Sequence, residues 1–319
     1  MQFRFFTFLT LILSLGYLNP AWGQNPGFAP ATPAKVVYGT DDRIDVYQET
    51  EARKLFWSGS TCTLVSTSKI TDNLNSTFTM DNEPYTQGKP ACPDEPFGDQ
   101  PTPGHCSAFM VGPDIIVTAG HCYGSGNFAN TAFVFNFEMA DASTPMLTLS
   151  NDNIYYGVEI LADVLNGTTK EDYCVVRVDR AIVAPGANPF DIRRTGTIPV
   201  GTEVGVIGHP AGLPKKLAFS ATTRVRSNTD PAFFVANLDT YGGNSGSPVI
   251  NPANGVLEGI LVRGETDYVT NSYDPEGEGE VFFPCFNSNV VADDAGRGED
   301  VSKSTSFMQF VPVIFIDTD

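Results

Sequence analysis

The stretch that decides the fold is residues 241–249, which read YGGNSGSPV. Glycine lets a backbone adopt conformations that other residues avoid and lets a ligand approach closely. Ser245 lies between these glycines, so it can stand exposed on a tight turn with neighbouring N–H groups aimed at one point. Acyl transfer requires this arrangement of a nucleophile and an oxyanion site. The same sequence is also typical of a glycine-rich hairpin turn, so a catalytic interpretation requires partner residues elsewhere in the chain.

A candidate base lies in residues 117–122, which read VTAGHC and complete an apolar run. A serine hydroxyl reacts once a base takes its proton, and histidine titrates near neutral pH. The chain has only three histidines. We interpret His105 and His209, which lie in turns, as structural, which leaves His121 as the base. Cys106 lies sixteen positions before Cys122, and a disulfide between them could close over the strands that carry His121.

The third partner should be a carboxylate that orients the imidazole and stabilises its charged form. Asp172 is the best candidate because an apolar, strand-like run follows it directly. Glu171 would point the opposite way on a strand, since side chains alternate. Asp163 and Asp191 are further rivals, but neither precedes a run of that kind.

Together these motifs resemble the chymotrypsin-like (trypsin-fold) serine peptidases. The order His, Asp, Ser matches that family and differs from the subtilisin and α/β-hydrolase orders. Asn244, in place of the usual aspartate, resembles the bacterial glutamyl-endopeptidase-like branch. The likeness covers residues 60–265, and residues 37–43 (VYGTDDR) resemble the amino-terminal segment of bacterial secreted members.

The resemblance implies an all-β fold of two six-stranded antiparallel Greek-key barrels with the active site between them. Frequent glycine and proline and few long helical patterns favour many short strands in any case. We expect residues 60–188 to form the first barrel, with His121 and Asp172. Residues 189–319 would form the second barrel, with Ser245 and a carboxy-terminal tail. A short helix is predicted within residues 301–310.

The resemblance also implies the roles of the site residues. His121 would take the proton of Ser245, Asp172 would orient His121, and the backbone N–H groups of Gly243 and Ser245 would hold the oxyanion. No metal or cofactor is expected. Asn244 cannot supply a carboxylate, so we expect that any maturation does not depend on an ion pair between a new amino terminus and that position.

Substrate preference is predicted from the position of Asp239, six residues before the serine. In trypsin-like members this place sets charge preference, and an aspartate there favours arginine or lysine. We group Thr240, Val262 and Gly264 with it as substrate-binding residues. The alternative for Asp239 is structural: a buried ion pair or a turn cap.

Other preferences stay open. The glutamyl branch recognises an acidic residue with a histidine on the strand after the serine loop, and residues 259–264 (GILVRG) contain none. Arg263 could neutralise Asp239 or accept an acidic substrate itself. An apolar preference, a catalytically silent binding homologue and an esterase with the same triad are further alternatives.

The amino terminus predicts export. An apolar run over residues 5–18 and small residues at 21 and 23 indicate a signal peptide, residues 1–23, cleaved before Gln24. Residues 24–59 are predicted to be an amino-terminal extension or propeptide. We expect a secreted protein, extracellular or periplasmic, with no membrane anchor, because the apolar run is too short to span a bilayer.

Charge and cysteines complete the prediction. With 37 acidic and 19 basic residues the net charge is −18, and no basic patch interrupts it. This argues against binding to nucleic acid or anionic membranes. The expected partners are protein or peptide substrates, and the expected state is a monomer. Beyond Cys106 and Cys122, four cysteines leave three pairings open: Cys62, Cys92, Cys174 and Cys285. Of these, Cys174 is interpreted as a small buried hydrophobe.

Overall fold

The described part of the chain begins at Val36. A computed structural model describes residues 36–124, 129–275, 277 and 282–313. The predicted signal peptide lies outside these residues. Within them, no helix has the length and apolar character needed to cross a membrane.

The first barrel is closed and consists of six antiparallel strands. In chain order they are β1 (Thr61–Ser66), β2 (Gly104–Gly112), β3 (Ile115–Thr118), β4 (Thr131–Phe135), β5 (Ile154–Leu165) and β6 (Asp172–Val178). Around the barrel the order is β1-β4-β5-β6-β3-β2, and β2 pairs with β1 to close it.

The second barrel repeats this topology. Its strands are β7 (Glu203–Gly208), β8 (Lys216–Ser227), β9 (Phe233–Ala236), β10 (Pro248–Ile250), β11 (Leu257–Arg263) and β12 (Glu299–Lys303). The order is β7-β10-β11-β12-β9-β8, and pairing between β7 and β8 closes the sheet. Each strand of the second barrel thus occupies the place of its counterpart in the first. The all-β fold of two six-stranded antiparallel barrels is confirmed.

Shorter elements lie outside the barrels. The further strands are Val37–Tyr38, Arg43–Asp45, Ile70–Asp72, Thr77–Met80, Met139–Asp141, Thr144–Pro145, Thr148–Ser150, Tyr268–Tyr273, Phe283–Ser288 and Val290–Val291. The helices are α1 (Ala52–Gly59) and α2 (Gly120–Tyr123), and the 3₁₀ turns are Val46–Gln48, Thr67–Lys69, Asn151–Asn153, Pro210–Gly212, Ser304–Ser306 and Met308–Phe310.

One apolar cluster joins the two barrels and places their facing surfaces. It contains Ile116 and Val175 from the first barrel and Ile207 and Ile260 from the second, all fully buried. A separate cluster that includes Phe234 fills the interior of the second barrel. Burial of such apolar side chains is the main favourable contribution to folding, and here it holds the two barrels together as well as filling each one.

The amino-terminal segment packs on the second barrel. Arg43–Asp45 pairs with β8, and Val37–Tyr38 pairs in parallel with Val290–Val291. Val36 and Val37 are fully buried. The described part of the predicted extension therefore lies on the domain as an arm.

The predicted carboxy-terminal helix is wrong. Residues 299–303 are strand β12, which pairs with β9 on one side and with β11 on the other. Two single 3₁₀ turns follow, at Ser304–Ser306 and Met308–Phe310. Pairing on both sides satisfies the backbone hydrogen-bonding groups of β12. This tertiary requirement outweighs the local sequence preference, since residues 299–303 are mostly polar and show no strand-like alternation.

Candidate active site

His121 lies on the short helix α2, directly after β3 of the first barrel. Its ring is about one-fifth exposed. Gly120 allows this tight turn, because a Cβ there would overlap the carbonyl oxygen of Val164 on β5. A disulfide between Cys106 and Cys122 ties the helix to β2. The helix that carries the imidazole is therefore covalently linked to the barrel.

Asp172 begins β6 and is 1% exposed. Its Oδ2 lies 2.8 Å from His121 Nδ1, and its Oδ1 accepts the backbone N–H of His121 at 3.2 Å. The carboxylate thus fixes both the ring and the main chain of the histidine. A proton on Nδ1 leaves Nε2 as the acceptor, which is the tautomer that a general base requires.

Ser245 lies in the loop between β9 and β10 of the second barrel. Gly243 and Gly246, on either side of it, have φ values of 90° and 91°, a region that favours glycine. A Cβ on Gly246 would also overlap the carbonyl oxygen of Ser107. Asn244 is buried, and its Oδ1 accepts the Ser247 hydroxyl at 3.3 Å. The loop conformation thus depends on glycines at two positions and on a bonded asparagine.

The serine and the histidine face one cleft of about 550 Å³. Gly242 and Gly243 line the same cleft, as does His105. His209 does not, because it is fully buried, lies 3.0 Å from the Leu213 carbonyl oxygen through Nδ1, and has its pKa lowered by burial.

Asp239 lies away from the described lining of this cleft. It is 3% exposed, and its two oxygens accept the backbone N–H groups of Tyr38 and Asp42 at 2.7 and 2.8 Å. Burial raises the pKa of Asp239 to about 7. The prediction that Asp239 lies at the bottom of a substrate pocket is therefore corrected. Its carboxylate binds the backbone of the amino-terminal arm, which is a structural role, as the alternative prediction proposed.

The other three residues assigned to substrate binding surround an acid that the sequence analysis missed. Thr240 and Val262 are fully buried, and none of Thr240, Val262 and Gly264 is on the described lining of the cleft. Glu299 of β12 fills the space beside them: it is fully buried and accepts the Thr240 hydroxyl at 3.1 Å. A Cβ on Gly264 would overlap its carboxylate. This acid lies well beyond the serine loop in the chain, and no sequence signal pointed to it.

The amino-terminal arm also reaches Glu299. The Tyr38 hydroxyl donates to its Oε1 at 3.4 Å, and the backbone N–H of Glu265 donates to the same oxygen at 3.2 Å. Burial and the Glu299 charge raise the pKa of the Tyr38 phenol. The phenol therefore keeps its proton and remains a donor.

The cleft has a second wall that the motifs did not predict. Asp267 and Tyr268 line it, with Gln87 from a distant part of the chain. Asp267 Oδ2 accepts the backbone N–H of Gly242 at 2.9 Å. A disulfide between Cys92 and Cys285 links the loop after Gln87 to the strand that pairs with Tyr268–Tyr273. The two remaining cysteines, Cys62 and Cys174, are buried thiols.

Arg263 adopts neither of the roles considered for it. Its Nε lies 3.2 Å from Asp300 and its Nη1 lies 3.6 Å from Asp172 Oδ2. It therefore contacts the carboxylate that orients His121, and Asp239 is not among its partners in the described part of the chain.

One group of side chains has the spacing of a metal site. Among the described residues, ligand atoms of Cys106, His121 and Cys122 lie within 4.8 Å of one another. The two sulfurs are bonded to each other, so neither is available as the thiolate that a metal would require. The donor set therefore does not fit a metal ion.

Comparisons with known proteins agree with the geometry. Residues 106–260 match the family model of the trypsin-like peptidase domain. A glutamyl endopeptidase from Bacillus licheniformis is 29% identical over 154 residues, 47% of this chain and 46% of that protein. A protein from Bacillus subtilis named extracellular metalloprotease is 27% identical over 147 residues, 45% of each chain. The chain thus spans about half the length of the curated relatives it matches.

A solved structure is also similar to this chain. A Glu endopeptidase in complex with MPD is 16% identical, with a TM-score of 0.48 and coverage of 86% of this chain and 97% of that one. The family resemblance drawn from the motifs is confirmed by the match of residues 106–260. Residues 106–260 thus carry a trypsin-like peptidase domain, and the chain is similar there to the glutamyl endopeptidase of Bacillus licheniformis.

Proposed function

We propose that this protein is a secreted serine endopeptidase that acts through His121, Asp172 and Ser245. The observation that carries the proposal is the 2.8 Å contact between His121 Nδ1 and Asp172 Oδ2, with His121 and Ser245 lining one cleft. The buried carboxylate stabilises the imidazolium that forms when the serine loses its proton.

The reaction proceeds through an acyl-enzyme. His121 Nε2 takes the proton of Ser245 while the serine oxygen attacks a peptide carbonyl, and the protonated imidazole then gives that proton to the leaving amine. Water, deprotonated by the same histidine, releases the acid product. The backbone N–H groups of Gly243 and Ser245 hold the oxyanion, and a donor of this kind contributes roughly 3–4 kcal/mol to the transition state.

We further propose that the protein prefers a cationic side chain at P1, the residue before the scissile bond. Asp267 brings a carboxylate to the cleft wall beside Gly242, and Glu299 lies behind Thr240. Among the described lining residues there is no lysine or arginine. A glutamate would meet the like charge of Asp267 here without a lysine or arginine to compensate, so we do not carry over the acidic preference in the relative's name.

Secretion is supported by the two disulfides, which persist in oxidising compartments, and by the predicted signal peptide. Protein or peptide substrates follow from the peptidase domain. With a net charge of −18, we propose a monomer that binds neither nucleic acid nor anionic membranes. Domain limits of 60–188 and 189–319 remain part of this proposal.

Two measurements test the function. An active-site serine phosphonate should label the parent, and Ser245→Ala should lose both labelling and peptide hydrolysis while its urea unfolding midpoint stays near that of the parent. Persistent hydrolysis by Ser245→Ala would refute the serine assignment. Absence of labelling in the folded parent would favour a silent binding homologue.

Chromogenic peptides ending in Arg, Glu or Phe test the preference. The Arg peptide should have the highest kcat/KM. No cleavage of the Arg peptide by labelled, competent enzyme would reject a cationic P1, whichever of the other two were cut. Hydrolysis of simple esters without any peptide cleavage would favour an esterase.

A further inference from the structure

Arg263 ends β11 of the second barrel and reaches across to the first. Its side chain is 28% exposed. Nη1 lies 3.6 Å from Asp172 Oδ2, and Nη2 donates to the carbonyl oxygen of Lys170 at 3.0 Å. On the side of its own barrel, Nε lies 3.2 Å from Asp300 Oδ2. The guanidinium carbon also lies 5.6 Å from the centre of the Phe233 ring. The guanidinium group therefore contacts residues of both barrels.

We propose that Arg263 is a positioning residue, which holds the carboxylate of Asp172 from the opposite barrel and sets the pH at which His121 becomes an active base. This inference rests on the proposed triad. No motif pointed to it, because the arginine lies far along the chain from both Asp172 and His121.

The geometric part of the argument concerns one oxygen. Asp172 Oδ2 is approached by His121 Nδ1 at 2.8 Å and by Arg263 Nη1 at 3.6 Å. Asp172 is 1% exposed, so little water reaches its carboxylate while both partners are in place. A planar guanidinium with several fixed donors can hold two acids and a carbonyl group at once, whereas an ammonium ion acts as a single point charge.

The electrostatic part concerns the charge that His121 experiences. A negative Asp172 favours the protonated imidazole, and a nearby cation offsets part of that effect. Without Arg263 the imidazole should hold its proton to higher pH, so the base form needed for attack would be lost earlier on acidification. Two unit charges about 6 Å apart interact by an amount that corresponds to roughly half a pH unit in bulk water and about two pH units near a protein surface.

The surrounding charges must be considered with this pair. Arg297 lies 2.8 Å from Asp300, which is 3% exposed, and so shares that acid with Arg263. The elements packed around the pair carry further titratable or charged groups: Tyr123, Tyr155, Tyr156, Glu159, Asp163, Lys170, Glu171, Tyr173, Cys174, Arg177, Glu258, Glu265, Glu299 and Lys303, with His105 in the cleft. Arg297 therefore provides a matched control, because its loss changes the net charge equally without a contact to Asp172.

The experiment compares Arg263→Gln, Arg263→Lys and Arg297→Gln in the full chain. Phosphonate labelling counts competent sites, and kcat/KM for the best peptide is followed from pH 4 to pH 9. We expect the acid limb of Arg263→Gln to move up by roughly half to two pH units, with kcat at pH 8 reduced several-fold and KM changed less. Arg263→Lys should return the limb towards the parent's position, and Arg297→Gln should leave it in place.

The outcomes are separable. If the parent is not labelled, the triad proposal fails. If all variants are labelled and the acid limb of Arg263→Gln coincides with that of the parent, or moves equally in Arg297→Gln, the role of Arg263 is refuted. Should Arg263→Gln not fold, Arg263→Lys decides: its ammonium cannot hold both acids and the Lys170 carbonyl, so kcat per labelled site should fall several-fold, and an unchanged kcat would overturn the proposal.

Discussion

The buried carboxylate of Asp239 should make the folded protein less stable as the pH rises from mildly acidic to neutral. Burial raises its pKa from an ordinary 3.8 to about 7, although two backbone N–H groups bonded to it favour the ionised form. In this range the folded chain binds a proton that the unfolded chain has lost. Stability linked to this group is therefore fully present below about pH 4 and is lost as the pH rises through about 7.

The size of the effect follows from the same values. Each pKa unit corresponds to about 1.4 kcal/mol, so the full difference is about 4 kcal/mol, and the part between pH 5 and pH 8 is about 3 kcal/mol. Asp239→Asn removes the titration. Other acids contribute equally to the parent and the variant, so their effects cancel in the difference between the two free energies of unfolding.

Urea unfolding at pH 5 and pH 8 measures this difference, with Ser245→Ala present in both proteins to prevent autolysis. We expect the stability of the parent relative to Asp239→Asn to fall by about 3 kcal/mol between the two pH values. Because the cause is burial, 1 M NaCl should leave most of the change in place. A difference that stays constant within about 0.5 kcal/mol would refute the reasoning, since additivity is reliable only to about that level.

Three further predictions concern the cleft and the loop that carries the serine. Gly246→Ala should lower the free energy of unfolding in urea by more than about 2 kcal/mol and abolish phosphonate labelling, because its φ is 91° and a Cβ would overlap Ser107. Gly88→Ala is the control: its φ is 73° but open space surrounds it, so the loss should be about 1 kcal/mol. Asp267→Asn keeps an acceptor for the Gly242 N–H but removes the charge, so kcat/KM for the Arg peptide relative to the Phe peptide should fall about tenfold, the equivalent of about 1.4 kcal/mol; an unchanged ratio would leave Asp267 without a role in charge preference. Replacing Cys92 and Cys285 by serine should lower the free energy of unfolding by roughly 2–4 kcal/mol. It should also raise KM more than it lowers kcat, since that disulfide braces the wall of the cleft that carries Gln87 and Tyr268. Kinetics and urea unfolding of the double variant measure both effects, and unaltered values would refute the bracing role.

The three motifs could be predicted because their signals are local, and the two barrels were predicted from the family that those motifs resemble. Glycines beside Ser245 have to permit a left-handed backbone, and the apolar run before His121 has to be a buried strand. Each requirement is met within a few neighbouring residues, so it is visible as a local sequence pattern. The second wall of the cleft has no such pattern, since Gln87, Asp267 and Tyr268 come together only in the folded chain.

The roles of the two buried acids, Asp172 and Asp239, could not be distinguished from the local sequence. Asp172 and Asp239 are both buried carboxylates at positions that a trypsin-like fold makes meaningful, yet their partners differ in kind. Asp172 contacts an imidazole and a guanidinium, whereas Asp239 contacts two backbone N–H groups from a segment about two hundred positions away. Position along the chain could not distinguish these cases, because the groups that enclose each acid come from other elements.

The same reasoning explains why charge preference cannot be read from the residue six positions before the serine. An acid selects a cationic substrate only if its oxygens remain available to that substrate, and both oxygens of Asp239 are already occupied by the amino-terminal arm. The space beside Thr240 is filled instead by Glu299, which lies on the neighbouring strand β12 and is fully buried. Asp267 is the acid that lines the cleft, so the proposed preference has to be tested there.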